Sequence, residues 1–260
     1  MKARSARQSS KHRTHRPGAG LARALSKLGF CSRSQALKLI AAGRVLLNRV
    51  PCRDGATPVD LECDSIEVDG RRLAPMARVY VMLNKPRGLV TTRTDEKGRR
   101  TVYDCLSSSN LPRLAPVGRL DKASEGLLLL TNDNRWAARI LAPETRLEKI
   151  YHVQIDCLAD ESLLRRMAQG TITGEGDFLA VKYVRALRQG SRTSWLEVVI
   201  EEGKNRHIRR LLAALDVDVL RLVRVAIGPL RLETLAKGEF RLLSEAERGA
   251  LEEASLGAEG

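Results

Sequence analysis

A chain of 260 residues with 43% hydrophobic and 29% charged side chains can bury one large core, or one core and a small module. Its net charge of +14 and pI near 10.1 point to a polyanionic partner. The 3% aromatic share argues against binding through many stacked rings and leaves charge as the source of affinity. No apolar run approaches membrane-spanning length, and the N-terminus lacks the apolar segment of a secretory signal. Five cysteines (Cys31, Cys52, Cys63, Cys105, Cys157) without a C-x-x-C pair read as reduced thiols of a cytoplasmic protein and not as zinc ligands.

Residues 1–20 are basic and Ser-rich and close on Pro17-Gly18-Ala19-Gly20, a composition that predicts a disordered tail. The first sixteen carry Lys2, Arg4, Arg7, Lys11, Arg13 and Arg16 and no acid; without these six the charge is still +8, so the folded part is basic too. Leu21, Leu25 and Leu28 then recur at helical spacing, and Gly29-Phe30 reads as a helix stop with its apolar clasp. Ser32-Arg33-Ser34-Gln35 is a capping-box pattern that opens a second helix, with Ala36, Leu37 and Ile40 inward and Gly43 at its end. Strands are predicted over 44–48 and 64–70, the latter turning at Asp69-Gly70. Together these elements make a compact basic module. Its Arg33, Lys38 and Arg44 suit phosphate contacts, which position RNA without reading its sequence; singly, each also fits an ordinary surface charge.

Residues 71–77, with Pro75, form a polar joint. The run 79–83 alternates as a strand and ends in the turn Asn84-Lys85-Pro86-Arg87-Gly88, with a return strand over 89–92 and loops over 94–100 and 107–112. Next comes Gly118-Arg119-Leu120-Asp121, followed by Glu125-Gly126, four leucines at 127–130, and Thr131. The leucine run is short and bounded by turn residues, so it fits a buried strand. Asp121 then stands on a loop at the mouth of a packed core, where a reactive group can meet a ligand. Alone, such a carboxylate also fits a turn cap.

Residues 135–142 read as a helix with Trp136, Ile140 and Leu141 toward the core, stopped by Pro143. The stretch 149–155 alternates and puts Tyr151, Val153 and Ile155 on one face, with His152 on the other. Asp160 caps a helix over 161–168, and strands follow around 179–187 and 195–200. Gly203-Lys204-Asn205-Arg206-His207-Ile208-Arg209-Arg210 then turns into a helix whose Ile208, Leu211, Leu212 and Leu215 keep helical spacing. Arg206 and Arg210 face away from that stripe, His207 is a polar helix residue, and Arg209 falls at the edge of the stripe, from where it could enter a cleft. Further on, Ser244-x-x-Glu247 is a capping box for a last helix.

The stretch from Gly118 to Thr131 resembles the catalytic signature of bacterial ribosomal-RNA pseudouridine synthases of the RsuA-like family. Lys85-Pro86-x-Gly88 is similar to that family's first motif. Ser32-Arg33-Ser34-Gln35-Ala36, the run 40–45, Asn48 and the run 64–69 resemble an S4-type RNA-binding domain. The likeness implies an α+β architecture: a small N-terminal S4-type module over 21–70, after a basic tail over 1–20, then a catalytic domain over 78–255 with a largely antiparallel mixed sheet flanked by helices. It implies isomerisation of a specific uridine in ribosomal RNA to pseudouridine. Asp121 would be the catalytic carboxylate, Tyr151 the ring that packs on a flipped-out base, and Arg209 the cation that pairs with Asp121. Arg119 would help displace the nucleotide, Lys85 would make an RNA or a structural contact, and Lys204, Asn205, Arg33, Lys38 and Arg44 would contact RNA. Breaking the ribose–uracil N1 bond and rejoining through carbon changes no oxidation state, so neither cofactor nor metal is implied. The partner would be ribosomal RNA or a ribosome-assembly intermediate, bound by a monomer away from any membrane. His207 departs from the polar residue, often Gln, of relatives. Two other classes share parts of the pattern: a noncatalytic RNA-binding or assembly protein, and a phosphate-ester hydrolase, which would want clustered carboxylates and a metal around Asp121.

Overall fold

The structure is a computed structural model that describes residues 19–61, 63–74 and 77–256. Most of the predicted tail lies outside the described residues. The chain divides into two compact units, residues 1–77 and 78–260, each described by itself.

In the first unit a short strand, β1 (Ala19–Gly20), leads into α1 (Leu21–Lys27). Ala19 and Gly20, counted with the tail in the sequence, are thus part of the fold. Helix α1 stops as predicted: Gly29 takes φ 73°, its N–H donates to the Ser26 carbonyl, and the Phe30 N–H reaches back to Leu25. Ser32 then caps α2 (Arg33–Ala41) with both halves of the capping box formed. Ala36 and Ile40 of α2 are buried, but Leu37 is 53% exposed, a correction to the inward reading. A nine-residue helix has one inner stripe, and Leu37 sits beside it, over Gly55. The strands are β2 (Val45–Leu47), β3 (Val50–Pro51), β4 (Pro58–Val59), β5 (Ile66–Val68) and β6 (Arg71–Leu73). They form a sheet ordered β3-β2-β5-β6, while β4 pairs with β1. Residues 71–73 therefore belong to the sheet and not to a joint: Asp69 and Gly70, both at positive φ, fold β6 back onto β5.

The second unit is built on a nine-stranded sheet. It opens with β7 (Tyr80–Lys85), β8 (Ala115–Val117) and β9 (Glu125–Thr131), every residue of β7 and β9 being buried. Then come α3 (Asn134–Leu141), β10 (Lys149–Ile155), α4 (Glu161–Gln169), a small hairpin of β11 (Thr171–Ile172) and β12 (Phe178–Leu179), and the long strands β13 (Tyr183–Gln189) and β14 (Ser194–Ile200). Helix α5 (His207–Ala213), β15 (Val219–Ile227), β16 (Leu230–Arg231), β17 (Phe240–Leu242) and α6 (Glu245–Leu256) complete it. The main path is β13-β14-β10-β15-β9-β7-β17, with β8 on β9 and β16 on β15. All its pairings are antiparallel except β15 with β9, so the sheet is mixed and largely antiparallel.

Alternation splits the leucine run between two cores. Leu128 and Leu130 join Val81, Leu83, Tyr151, Val153, Ile155 and the α4 and α5 leucines on one face. Leu127 and Leu129 join Tyr80, Met82, Trp136, Ile140 and Leu251 on the other. Leu141 of α3 is 50% exposed, against the sequence reading, because it follows Ile140 round the helix, off the buried stripe. The return strand predicted over 89–92 reduces to one bridge, Val90 with Thr101. The last helix keeps its capping box, Ser244 with Glu247.

The parallel contact sets one severe constraint. Gly126 has φ 102°, and a Cβ built there would stand 2.2 Å from the Arg224 carbonyl oxygen and 2.8 Å from the Arg224 nitrogen, both backbone atoms. Gly88 has a similar φ, 96°, and open space. Gly126→Ala should therefore lose at least about 3 kcal/mol of unfolding free energy, and Gly88→Ala about 1 kcal/mol. Urea unfolding of the two variants checks this; equal losses would mean that the strand approach is not the constraint.

Candidate active site

Asp121 lies on the loop between β8 and β9, half-buried, on the face that carries Leu120, Tyr151 and Ile208. What holds this loop is its carbonyl groups. Five in succession each accept a hydrogen bond: Leu120 from the Thr91 hydroxyl at 2.7 Å, Asp121 from the Lys85 ammonium at 3.1 Å, Lys122 from the Gly88 N–H at 2.8 Å, Ala123 from Arg209 at 3.2 Å and Ser124 from Lys85 at 2.8 Å. The Ser124 N–H closes the turn on the Asp121 carbonyl at 3.0 Å. No hydrogen bond to the Asp121 carboxylate is formed among the described residues. The backbone is tied and the carboxylate is left without a hydrogen bond.

Lys85 does much of this. It closes β7, is 0% exposed, and its ammonium also donates to the Pro86 carbonyl at 3.2 Å. With three donors on three carbonyls it has none for phosphate, which corrects its place among the RNA contacts. The sequence put Lys85 in a turn, whereas β7 runs through it, and its parity with Val81 and Leu83 turns it inward under the Asp121 loop. Burial pulls its pKa down to about 8, opposed by the negative charges of Asp121 and Glu125 and by Cys105.

Arg209 enters from α5, whose Ile208, Leu211 and Leu212 pack on the same core. Its guanidinium donates to the Ala123 and Val219 carbonyls at 3.2 and 3.1 Å. Among the described residues it forms no ion pair with Asp121, though Asp121 is near enough to oppose the lowering of its pKa by burial, Arg206 and Arg87. The resemblance pairs it with the carboxylate; here it reaches the loop's backbone two residues on, and its Nε is buried without a partner. Tyr151 is 8% exposed in the middle of β10. One rung of the sheet brings it into line with the loop: Tyr151 pairs with Arg224, Arg224 with Gly126, and Gly126 with Lys85.

The other positions scatter. Arg119, Lys204 and Asn205 are exposed, and Lys204 pairs with Glu202 at 2.8 Å. Arg33, Lys38 and Arg44 are exposed in the first unit, where Arg44 holds Asp69 through two bonds of 2.7 and 2.6 Å. His207 is buried, its Nε2 against the Ala180 carbonyl at 2.8 Å, and burial lowers its pKa. Thr91 and Arg224 were not singled out in the sequence. A threonine in a presumed strand, and an arginine in an apolar one, carry no local signal of a long-range partner. No group of three or more His, Cys, Asp or Glu that could hold a metal occurs among the described residues, nor a helix long and apolar enough to cross a membrane.

A family model of RNA pseudouridylate synthases matches residues 79–214, and one of S4 domains matches residues 20–66. The chain belongs to the RNA pseudouridine synthases. It is 38% identical over 229 residues to an uncharacterized RNA pseudouridine synthase of Aquifex aeolicus, covering 87% of this chain and 91% of that one. It is 34% identical over 229 residues to the ribosomal large subunit pseudouridine synthase B of Bacillus subtilis, covering 87% and 93%. A crystal structure of a pseudouridylate synthase superposes with a TM-score of 0.61 at 30% identity, over 90% of this chain and all of the other. The fold of this pseudouridine synthase is thus the α+β arrangement expected, an S4 domain followed by a synthase domain, and RNA is its class of partner.

The buried ammonium makes stability depend on pH in a defined direction. Lys85 titrates near 10.5 in the unfolded chain and near 8 in the fold. Between these values the unfolded state binds more protons, so stability rises with pH; below about 8 the cost of holding the charge is fully present. The unfolding free energy of the wild type minus that of Lys85→Met should therefore grow by about 2–3 kcal/mol between pH 7 and pH 10. A difference that stays flat across that window would show that burial does not lower the Lys85 pKa in the fold.

Proposed function

We propose that this synthase converts a specific uridine of ribosomal RNA to pseudouridine, with Asp121 acting on a flipped-out base packed against Tyr151. The observation that carries this is the Asp121 loop: five tethered carbonyls present one carboxylate whose side chain has no hydrogen-bond partner among the described residues. A carboxylate held this way keeps its position without being neutralised by an ion pair, as a nucleophile or base requires. The guanidinium of Arg209 stands near it, bound to the Ala123 carbonyl two residues along the same loop. The reaction is a rearrangement and needs no oxidant, reductant or energy source. Ribosomal RNA as substrate is supported by the likeness to the Bacillus subtilis synthase, which is named for the ribosomal large subunit.

The proposed division of labour places RNA binding in residues 21–70, through exposed Arg33 and Lys38 with Arg44, and catalysis in residues 78–255, with Arg119, Lys204 and Asn205 at the rim. Phosphate contact would supply much of the affinity, so binding falls steeply with salt. The enzyme works as a monomer, in the cytoplasm, in keeping with the odd, dispersed set of five cysteines in its sequence.

Two measurements test the reading. Pseudouridine mapping of ribosomal RNA from cells with and without the protein should differ at one or a few positions; identical maps remove ribosomal RNA as the substrate. With the RNA so identified, Asp121→Asn should bind it as the wild type does and lose at least about a thousandfold in rate. Retained turnover would take the chemistry away from Asp121.

A further inference from the structure

Arg224 is 6% exposed, yet among the described residues no carboxylate pairs with it. Its Nε donates to the Leu127 carbonyl at 2.7 Å, and its Nη2 is buried with no partner. Three residues earlier on the same strand, Arg221 holds Glu125 at 3.1 Å in the ordinary way. A buried guanidinium without a counter-charge and with a donor unused is costly, and such groups are kept where a ligand completes them.

Its place in the sheet says which ligand. Leu222 shares a core with Tyr151 and pairs with Val153, and the pairing of β15 with β10 runs without a break from Leu222 to Arg224. Alternation then puts Arg224 on the Tyr151 face, one strand from Tyr151 and one from Gly126 at the end of the Asp121 loop. Lys149, two residues before Tyr151 on β10, shares that face. Its ammonium donates to the Glu201 carbonyl at 2.7 Å, and its pKa is lowered by burial first and by Arg224 second. Two cations that repel each other thus flank the tyrosine at the depth of the sheet, where a base would lie, below the level of a surface phosphate.

Resting on the function proposed above, we infer that Arg224, assisted by Lys149, takes up the negative charge that develops on uracil as it leaves the ribose. When the C1′–N1 bond breaks heterolytically, its electron pair stays on N1 and spreads over O2 and O4, while C1′ is left electron-deficient beside the Asp121 carboxylate. Rejoining through C5 uses a π pair of the ring; the C5 proton departs and N1 takes up a proton, so nothing is oxidised or reduced. Cations set in place before the charge appears are worth more in the transition state than in the complex with neutral uridine.

The experiment measures single-turnover loss of the target nucleoside, and RNA affinity across a salt series, for the wild type, Arg224→Gln, Arg224→Lys and Lys149→Met. Each enzyme meets the substrate RNA with uridine or 5-fluorouridine at the target; fluorine makes the base a better leaving group and so less dependent on outside charge. Arg224→Gln should fall about 100-fold on uridine and no more than about tenfold on 5-fluorouridine, with Kd within threefold of the wild type and an unchanged salt slope. Arg224→Lys should recover part of the loss, and Lys149→Met should show the same pattern at about tenfold. Equal losses on the two substrates would make the residues structural, and a weaker Kd with a shallower salt slope would make them phosphate contacts; either overturns the inference. If Arg224→Gln melts early, Lys149→Met decides by the same comparison. A wild type that forms no pseudouridine on this RNA would instead overturn the proposed function itself.

Discussion

The structure around Asp121 depends on one buried ammonium. Lys85 carries a positive charge into a fully buried place and meets it with three carbonyl oxygens, two of them on the Asp121 loop. Charged donors make the stronger hydrogen bonds, and inside a protein they lose little to competition from solvent. Such an anchor acts on the backbone and leaves the carboxylate side chain alone. A loop of seven residues between two strands is ordinarily mobile; this one is pinned from the end of β7 with the segment just after it, and from α5, two stretches of chain far apart in sequence.

The second constraint is the approach of β15 to β9. It is the one parallel contact in the sheet, and it leaves no room for a side chain at Gly126. Because Gly126 is the second residue of β9, one position past the loop, the strand that squeezes it also sets where the loop ends. The same strand brings Arg221 to Glu125 on one face and Arg224 to the other. The 3% exposed Glu125 is neutralised by Arg221 and Lys237, and its pKa lies below the usual carboxylate value because those bonds outweigh its burial. One face of the strand is therefore closed electrostatically while the other keeps unmatched positive charge. That asymmetry separates a structural pair from a site.

The S4 unit is held by local devices. A glycine stop with its two backbone bonds ends α1, a complete capping box starts α2, and a tight turn at Asp69-Gly70 joins two strands. Each satisfies backbone groups that a short helix or hairpin leaves open. A unit with so small a core relies on them, and its cations stay outside: Arg33 and Lys38 are free to meet phosphate, while Arg44 first has to be shared with Asp69.

What the sequence determined by itself was whatever rests on spacing along the chain. Helix stops and caps, the alternation that buries Tyr151 with Val153 and Ile155, the helical stripe of α5 and the buried strand at 127–130 all follow from neighbours within a few residues, and the motif around Asp121 pointed to the family. Tertiary structure decided the rest. Leu37 and Leu141 have the chemistry of core residues but fall outside the one stripe each short helix can bury. Lys85 sits in turn-like letters, yet its acceptors lie up to 39 residues away and the one Arg209 uses on the loop lies 86 away. Arg224 is one arginine among many until the sheet sets it beside Tyr151 with no acid to meet it. Local periodicity encodes which face a side chain takes; only the closed sheet decides which distant carbonyl, or which missing carboxylate, it finds there.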